Sequence, residues 1–248
     1  MNSTAGSVSF KALLETLPRG EPLSTADLQA RGVSAFRASA LARSGWLVHL
    51  ARGAYMLPGD TLTRDGGLAF LAADTPDFHV GGKTALAWRG VRQNIEFREH
   101  LNLWGDTPRR LPNWFTERFA ANYQATHLFD DALPSGFGLQ PLPGGDSRVM
   151  VSVPERAMLE LLSDVGKIQS LAEARELIEG LQGLRAKVLD ELLLRTRRIK
   201  VVRMAATLSA GMKLPWANVA HKHSERIGGG ARWVSVGRSG ERLDLSRP

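Results

Sequence analysis

The sequence predicts an α+β protein of 248 residues in three parts. We expect a small domain of helices and one β-hairpin over residues 1–60, a mixed α/β domain over 61–165, and a basic, mainly helical region over 166–248. Apolar residues recur at helical spacing near both ends of the chain, whereas short β-rich runs separated by Pro- and Gly-rich loops fill the middle. The tripeptide Pro58-Gly59-Asp60 is typical of a junction between the first two parts.

The N-terminal part begins with a predicted supporting helix. Phe10, Leu13, Leu14 and Leu17 fall at i, i+3, i+4 and i+7, so they form one apolar stripe, and Pro18 ends the helix.

A short helix follows the supporting helix. Ser24 and Asp27 approximate a capping box, Ala26 and Leu28 are the expected inward residues, and Gly32 supplies the positive φ that ends the helix.

A second helix is predicted from Ser34, its N-cap, to about Ser44, and Gly45 closes it. Its alanines weaken the amphipathic pattern, so two rotational settings remain open. One setting buries Phe36 and Ala40, and the other buries Ala38, Leu41 and Ala42.

Two β-rich runs come next, over residues 46–50 and 54–57. Residues 51–53 join them as a hairpin connection, with Gly53 at the position that needs positive φ and Arg52 at the tip. Helix, tight turn, second helix and hairpin together predict a winged helix-turn-helix, which places one helix and one hairpin against a nucleic-acid duplex.

The predicted contacts follow from this arrangement. Arg37, Ser39 and Arg43 enter or flank the major groove, Ser34 and the helix N-terminus hold a phosphate, and the wing touches backbone or minor groove. The full predicted DNA-binding set is Ser34, Arg37, Ser39, Arg43, His49 and Arg52. Because winged helices also serve in dimerisation, a protein-contact role for this domain remains the alternative.

Charge is unevenly distributed along the chain, whose formal net charge is +7. Residues 1–60 carry a net charge of only +2, residues 61–180 carry −4, and residues 181–248 carry +9, from 14 basic and 5 acidic side chains. Since phosphate neutralisation dominates affinity for DNA, we expect a dimer on DNA or help from elsewhere in the chain.

The densest part of the C-terminal excess predicts a second basic surface, which would bind nucleic acid or an acidic protein. An ordinary solvated face is the equally weighted alternative. The predicted members are Arg195, Arg197, Arg198, Lys200 and Arg203.

The middle of the chain alternates helices and strands. Helices are expected over residues 68–73 and 83–89, and strands over 79–80, 101–104, 125–129 and 149–153. Ser152 and Glu155 resemble a capping box around Pro154, and the helix that follows carries its apolar stripe on Met158, Leu161, Leu162 and Val165. Residues 170–212 are predicted to be helical with breaks near Gly180 and Gly183, and residues 228–248 to be irregular or a β-hairpin.

Several classes of protein are disfavoured. The chain has no cysteine, so disulfides and thiolate zinc sites are excluded, in keeping with a reducing compartment. It shows neither a signal peptide nor a run approaching the ~20 apolar residues of a membrane span. We therefore expect a cytoplasmic protein with no membrane partner.

The sequence also does not match the residue spacing of common catalytic motifs. Gly82-Lys83-Thr84 ends like a phosphate-binding loop, but Asp77 stands where that loop needs its first glycine. His221 and His223 are two residues apart, which suits one side of a strand rather than one face of a helix, and no metal-site carboxylate accompanies them. The sequence has no G-x-S-x-G elbow. We expect no enzyme activity, no catalytic residue, no metal and no cofactor.

Four segments, in this order and spacing, resemble the AbiEi antitoxins of type IV toxin-antitoxin systems. They are Leu41–Leu47 (LARSGWL), Arg52–Tyr55 (RGAY), Val80–Leu86 (VGGKTAL) and Val153–Ala157 (VPERA). The resemblance implies a winged-helix domain that represses its own operon by binding inverted repeats in the promoter. It also implies a C-terminal domain that counteracts a nucleotidyltransferase-like toxin.

Two hypotheses therefore stand. The first is a DNA-binding repressor and antitoxin whose partners are double-stranded promoter DNA, a cognate toxin and a second copy of the chain on DNA. The second is a protein- or RNA-interaction module whose basic C-terminal region binds an acidic toxin or a structured RNA, with the winged helix used for protein contacts.

Overall fold

The computed structural model describes residues 16–91 and 99–227, and the backbone of two strands at 233–236 and 242–245. Most of the predicted supporting helix, including Phe10, lies outside the described residues.

The helices and strands are numbered along the chain. The helices are α1 (Thr25–Ala30), α2 (Ala35–Arg43), α3 (Arg64–Ala73), α4 (Gly82–Trp88), α5 (Asn113–Thr116), α6 (Pro154–Asp164), α7 (Leu171–Glu179), α8 (Ala186–Arg195), α9 (Ile199–Gly211) and α10 (Ala217–Ile227). The strands are β1 (Leu23–Ser24), β2 (Val48–Ala51), β3 (Ala54–Met56), β4 (His79–Val80), β5 (Leu101–Gly105), β6 (Ala121–Ala125), β7 (Leu139–Gln140), β8 (Val151–Ser152), β9 (Trp233–Val236) and β10 (Arg242–Leu245). The chain is thus a mixture of α and β structure, as expected.

The chain divides into two compact units. The first comprises the chain up to Asp74 together with Leu111–Phe119, and the second comprises Thr75–Arg110 and the chain from Ala120 onward. This division differs from the expected boundaries at residues 60 and 165. Beyond residue 60, α3 belongs to the first unit, where Gly67 lies against Phe115 of α5.

The turns of the first unit follow local rules. Ser24 and Asp27 form a complete capping box, in which the Ser24 side chain accepts from the Asp27 amide and the Asp27 carboxylate accepts from the Ser24 amide at 2.9 Å. Gly32 ends α1 with φ of +81°, a conformation that costs glycine little. Ser34 then caps α2 by accepting from the Arg37 amide. These predictions are confirmed.

Helix α2 adopts the second of the two rotational settings. Ala38 is fully buried, Leu41 and Ala42 pack partly buried against the same core, and Phe36 is 80% exposed. The other buried members of this core are Leu17, Leu23, Leu28, Val33, Leu47, Tyr55 and Leu57.

The expectation that Ala26 faces inward was wrong, since Ala26 is exposed while Leu28 is buried. Side chains two positions apart on an α-helix point in directions about 200° apart. A helix that packs on the core with one face therefore cannot bury both of them.

The first unit has a three-stranded antiparallel sheet. Strand β3 is buried along its length and pairs with β1 on one side and β2 on the other. The β2–β3 hairpin turns at Gly53, whose φ is +78°, as the sequence predicts.

The second unit contains a five-stranded mixed sheet in the order β6-β5-β4-β8-β7. The predicted strand at 125–129 was wrong, because the strand there runs over 121–125 and pairs in parallel with β5. Strand β6 lies at the sheet edge and none of its residues is fully buried, so it lacks the apolar alternation by which a strand is recognised.

Helix α6 begins differently from the prediction. Val153 is its N-cap, with no side-chain cap bond, and Pro154 takes the first helical position. Ser152 does not cap the helix, because its hydroxyl donates to Glu160, and Glu155 binds Arg185. The predicted capping box was therefore wrong, although the predicted apolar stripe of α6 is fully buried.

The C-terminal helices α7 to α10 cover the rest of the second unit. The break between α7 and α8 falls at the predicted Gly180–Gly183 segment, and a further break at residues 196–198 separates α8 from α9. Strands β9 and β10 pair antiparallel, which is the hairpin alternative for the C-terminal segment. In the part of the chain that the structure describes, no helix is long and apolar enough to cross a bilayer.

Candidate nucleic-acid interface

The exposed side of α2 and the β2–β3 hairpin, residues 34–56, form what we call the reading head. Its orientation depends on Ala38, whose complete burial turns the opposite side of α2 outward. Phe36 and Arg43 are seven residues apart, almost two full turns, so they share that outward side. Arg37 is exposed on its flank.

The outward side of α2 is positively charged and has no internal compensation. Helix α2 contains Arg37 and Arg43 and no acidic residue. Within the described part of the chain, neither arginine forms an ion pair. Both side chains are exposed, so their guanidinium groups are accessible to an external anion.

The N-terminus of α2 presents Ser34. Its hydroxyl oxygen accepts a 3.3 Å hydrogen bond from the Arg37 amide, so the side chain serves the helix itself. Ser34 and the first residues of α2 are exposed, and a helix N-terminus of this kind suits a phosphate.

Tyr55 connects the two halves of the reading head. Its hydroxyl lies 3.4 Å from the Ser39 hydroxyl on α2, and its ring lies 5.5 Å from the His49 imidazole on β2, centroid to centroid. The Ser39 hydroxyl also lies 3.1 Å from the Ala35 carbonyl oxygen, to which it donates. Ser39 and His49 thus contribute to holding helix and hairpin together, which the sequence pattern did not indicate.

Arg52 lies exposed at the turn of the hairpin, as predicted for the tip of a wing. The turn is attached to the start of α1, because the Thr25 amide donates to the Gly53 carbonyl at 3.0 Å. The position of Arg52 relative to α1 is consequently set by backbone bonding.

The predicted second basic surface is only partly available. Arg195 pairs with Glu191 at 2.9 Å and Arg197 pairs with Asp131 at 3.1 Å, so carboxylates of the same unit balance both charges. Arg203 is only 4% exposed. Its inclusion in a surface was wrong, because it lies among the buried residues of α9, where every residue from 201 to 206 is buried.

Arg198 and Lys200 are the other two members of the predicted basic surface. They lie beside Lys167, which the sequence pattern did not indicate. Arg198 donates to the Ser163 hydroxyl at 2.9 Å and Lys200 donates to the Val165 carbonyl. Burial lowers the pKa of Lys200, and the nearby charges of Lys167 and Arg198 lower it further. We call Lys167, Arg198 and Lys200 the cation cluster; only their convergence in three dimensions identifies Lys167.

Asp164 lies next to the cation cluster. It is 3% exposed, and its Oδ1 atom has no hydrogen-bond partner among the described residues. Burial raises the pKa of Asp164 to about 7, even though Lys167, Arg198 and Lys200 act to lower it. Below that pH Asp164 is protonated and does not neutralise the positive charge of the cation cluster.

A buried polar network lies at the centre of the second unit. The Glu160 carboxylate accepts from the Arg156 guanidinium at 2.9 Å, from the Ser152 hydroxyl at 2.8 Å and from the Gly82 amide at 2.9 Å, and it pairs with His79 at 2.9 Å. Burial raises the pKa of Glu160, but the stronger combined effect of these partners lowers it to about 2.

The network links three segments and forms one wall of a cavity. A Cβ at Gly81 would collide with the Glu160 carboxylate and the Trp104 ring, so only glycine fits there. The cavity, of about 300 Å³, is lined by Glu160, His79 and Arg156, by residues 104–106, and by loop residues 126–131 and 133–136. The partner of His79 is 81 residues away in sequence, so no local sequence pattern reveals the pair.

Histidines of α10 take structural roles. His223 is buried and its Nε2 lies 2.8 Å from an Asp190 oxygen, whereas His221 pairs with Glu225 on the same helix. The segment is helical, and the two histidines lie on different sides of the helix, as their spacing of two predicts, with His221 exposed and His223 buried. Across residues 16–91 and 99–227, no three His, Asp or Glu side chains converge as metal ligands would.

Two sequence models of one protein family match consecutive parts of this chain. Residues 98–246 match a family model described as the transcriptional regulator, AbiEi antitoxin, of a type IV toxin-antitoxin system, and residues 7–97 match the N-terminal domain model of the same antitoxin. No curated protein sequence matches significantly.

Among solved structures, the crystal structure of the RV2827C protein from Mycobacterium tuberculosis is similar to this chain. The TM-score is 0.58 at 18% identity, over 89% of this chain and 80% of that chain. At this identity, the likeness is one of fold. With both family models matched in sequence along the chain, this protein belongs to the AbiEi antitoxin family, the transcriptional regulators of type IV toxin-antitoxin systems.

Proposed function

We propose that this chain represses its own operon by binding promoter DNA through the reading head, which we interpret as a winged helix-turn-helix. The observation that carries the proposal is the exposed, positively charged side of α2, where Arg37 and Arg43 have no ion-pair partner in the described part of the chain. The α1-turn-α2 unit and the following hairpin have the order and spacing of that motif.

The residues of the reading head divide into two kinds of contact. Arg43, with Arg37 on the flank, reads base edges in the major groove, where an arginine commonly binds guanine. Ser34 with the first amides of α2 holds a phosphate, and Arg52 on the wing contacts the backbone or the minor groove. His49 and Ser39 support this surface through Tyr55.

Two copies of the chain act together on inverted repeats. Residues 1–60 carry a net charge of only +2, and affinity for duplex DNA depends on the number of phosphates neutralised. A dimer doubles that number and matches a palindrome with half-sites one helical turn, or a multiple of it, apart.

The C-terminal part carries the antitoxin function against a nucleotidyltransferase-like toxin. The cation cluster supports a contact there with an anionic partner, because three cations lie beside one carboxylate that is neutral below about pH 7. Arg195 and Arg197 add no net charge to this contact, because each is balanced by a carboxylate. A role in binding structured RNA or an acidic toxin, without DNA, is the second candidate function that this cluster favours.

Binding of the purified chain to labelled DNA from upstream of its own gene tests the repressor proposal. Fluorescence anisotropy against a shuffled duplex of equal length and composition, across a salt series, separates selective from purely electrostatic binding. We expect a preference of about a thousandfold or more for the upstream DNA, within the range of specific regulators. Equal, weak and strongly salt-dependent affinities for both duplexes would contradict the proposal and favour the second candidate.

A further inference from the structure

The most exposed large apolar side chain in the described part of the chain is Phe36, at 80%. It stands in the first turn of α2, two residues after the N-cap Ser34. Trp46 and Val48 of the reading head are also exposed, at 54% and 44%, but Phe36 differs from them in lying in the first turn of α2.

Phe36 lies on the outward side of α2, on the same face as Arg43. The buried Ala38 is two residues on, about 200° around the helix axis, so Phe36 is directed away from the core of the unit. In helix-turn-helix proteins, residues of the first turns of the second helix reach base edges in the major groove. The phenyl ring therefore lies where a base would be met.

The charges around the ring select its partner. Arg37 follows Phe36 directly and Arg43 lies on the same face, and both guanidinium groups lack an ion-pair partner within the described residues. An apolar protein surface docked on Phe36 would have to bury these two cations without compensation, which is costly. Duplex DNA supplies phosphates for the cations and, in the major groove, one apolar group for the ring, the C5-methyl of thymine.

We infer that Phe36 reads a thymine by packing its ring against the C5-methyl group in the major groove. This inference rests on the proposed DNA-binding function and adds a specificity that the arginines do not provide. It predicts a thymine at a fixed position of each half-site, separate from the base that Arg43 reads, because the two residues lie about 10 Å apart along α2.

Replacement of thymine by deoxyuridine tests the inference, since deoxyuridine lacks only the methyl group and pairs in the same way. Duplexes bound by the wild-type chain are first selected from a random pool, and each thymine of the resulting half-site is then replaced in turn. At one position we expect a loss of about fourfold in affinity, which is ~0.8 kcal/mol for one buried methyl group at 1.4 kcal/mol per tenfold change.

The same duplexes are then tested with Phe36→Ala. The variant should lose affinity for the thymine duplex and should no longer distinguish thymine from deoxyuridine at that position, so the two changes are not additive. Phe36→Leu should retain part of the discrimination, because it keeps an apolar contact. Ile168→Ala, which removes another exposed apolar side chain in the second unit, serves as the matched control and should discriminate like the wild type.

Each other outcome overturns the inference. If Phe36→Ala binds both duplexes as tightly as the wild type does, or weakens both by the same factor, then Phe36 does not contact the methyl group. If the wild-type chain selects no duplex at all, the repressor proposal fails, and the inference falls with it. Thermal unfolding of Phe36→Ala should match the wild type, because the side chain is exposed in the free protein.

Discussion

Ala38 is the residue that sets the orientation of the reading head. Its small side chain is completely buried, so the outward side of α2 carries Phe36 and Arg43, with Arg37 on the flank. From the sequence alone the orientation was open, because a helix with alanines at four positions has no dominant apolar face. The packing of Leu41 and Ala42 against the core of the first unit settles it.

Replacing Arg43 tests its role as a base reader. Arg43→Ala should weaken binding to the selected DNA by about 1–3 kcal/mol and relax the preference for guanine at one position, with little change on shuffled DNA. Fluorescence anisotropy on a set of single-base variants measures this. An equal loss on every sequence would assign Arg43 to a phosphate instead.

Glu160 should be essential to the stability of the second unit. Glu160→Gln leaves Arg156 and His79 without their buried carboxylate, and breaking a buried pair in this way costs about 3–5 kcal/mol. Urea unfolding measures the loss. Glu176→Gln on α7, where the carboxylate is exposed, is the control and should be nearly neutral. A neutral Glu160→Gln would show that the network contributes little.

Asp164 should make the protein less stable as the pH rises from about 4 to about 7. Its pKa is about 7 in the folded state and 3.8 ordinarily, so within this window the folded state holds a proton that the unfolded state has released. Stability is lost across that window, and the loss is complete above it. Asp164→Asn removes the effect, which is at most about 4 kcal/mol at ~1.4 kcal/mol per pKa unit.

Urea unfolding at pH 5 and pH 8 checks the prediction. The stability of Asp164→Asn relative to wild type should increase from pH 5 to pH 8. The charged neighbours Lys167, Arg198, Lys200 and Glu160 are present in both proteins. Parallel curves for the two proteins would contradict an elevated pKa.

At the scale of elements, capping and turn residues predicted the first unit well. Ser24 and Ser34 act through hydrogen bonds to an amide three residues on, and Gly32 and Gly53 act through their own positive φ, so local sequence encodes all four. Elements that depend on distant partners were not predictable in this way. Ser152 looked like a helix cap, but its hydroxyl bonds to Glu160, eight residues on and inside the core.

The β2–β3 hairpin should contribute affinity without sequence preference. Arg52→Ala should weaken binding to selected and shuffled duplexes by the same factor, because a backbone contact is independent of sequence. The slope of log affinity against log salt should become shallower by about 0.9, the value of one phosphate contact. Arg175→Ala, an exposed arginine of α7 in the second unit, controls for the loss of one positive charge. A loss confined to one sequence would instead place Arg52 at a base.

At the scale of the whole chain, the four segments that resemble the AbiEi family have structural roles. Gly81 and Gly82 of one segment contact Glu160, and Arg156 of another pairs with it, so two of the segments meet in the buried network. The sequence located both segments, but their separation of about 70 residues concealed the contact. The second basic surface was predicted from charge alone, and burial of Arg203 and local pairing of Arg195 and Arg197 reduce it to the cation cluster.

Binding by the double variant Arg37→Ala/Arg43→Ala tests the proposed repressor function most directly. The variant should lose most of the preference for the upstream DNA over shuffled DNA while it keeps the wild-type thermal unfolding, since both side chains are exposed. Arg175→Ala should keep the full preference. If the double variant binds the upstream DNA as tightly and as selectively as the wild type does, α2 is not the element that reads the promoter.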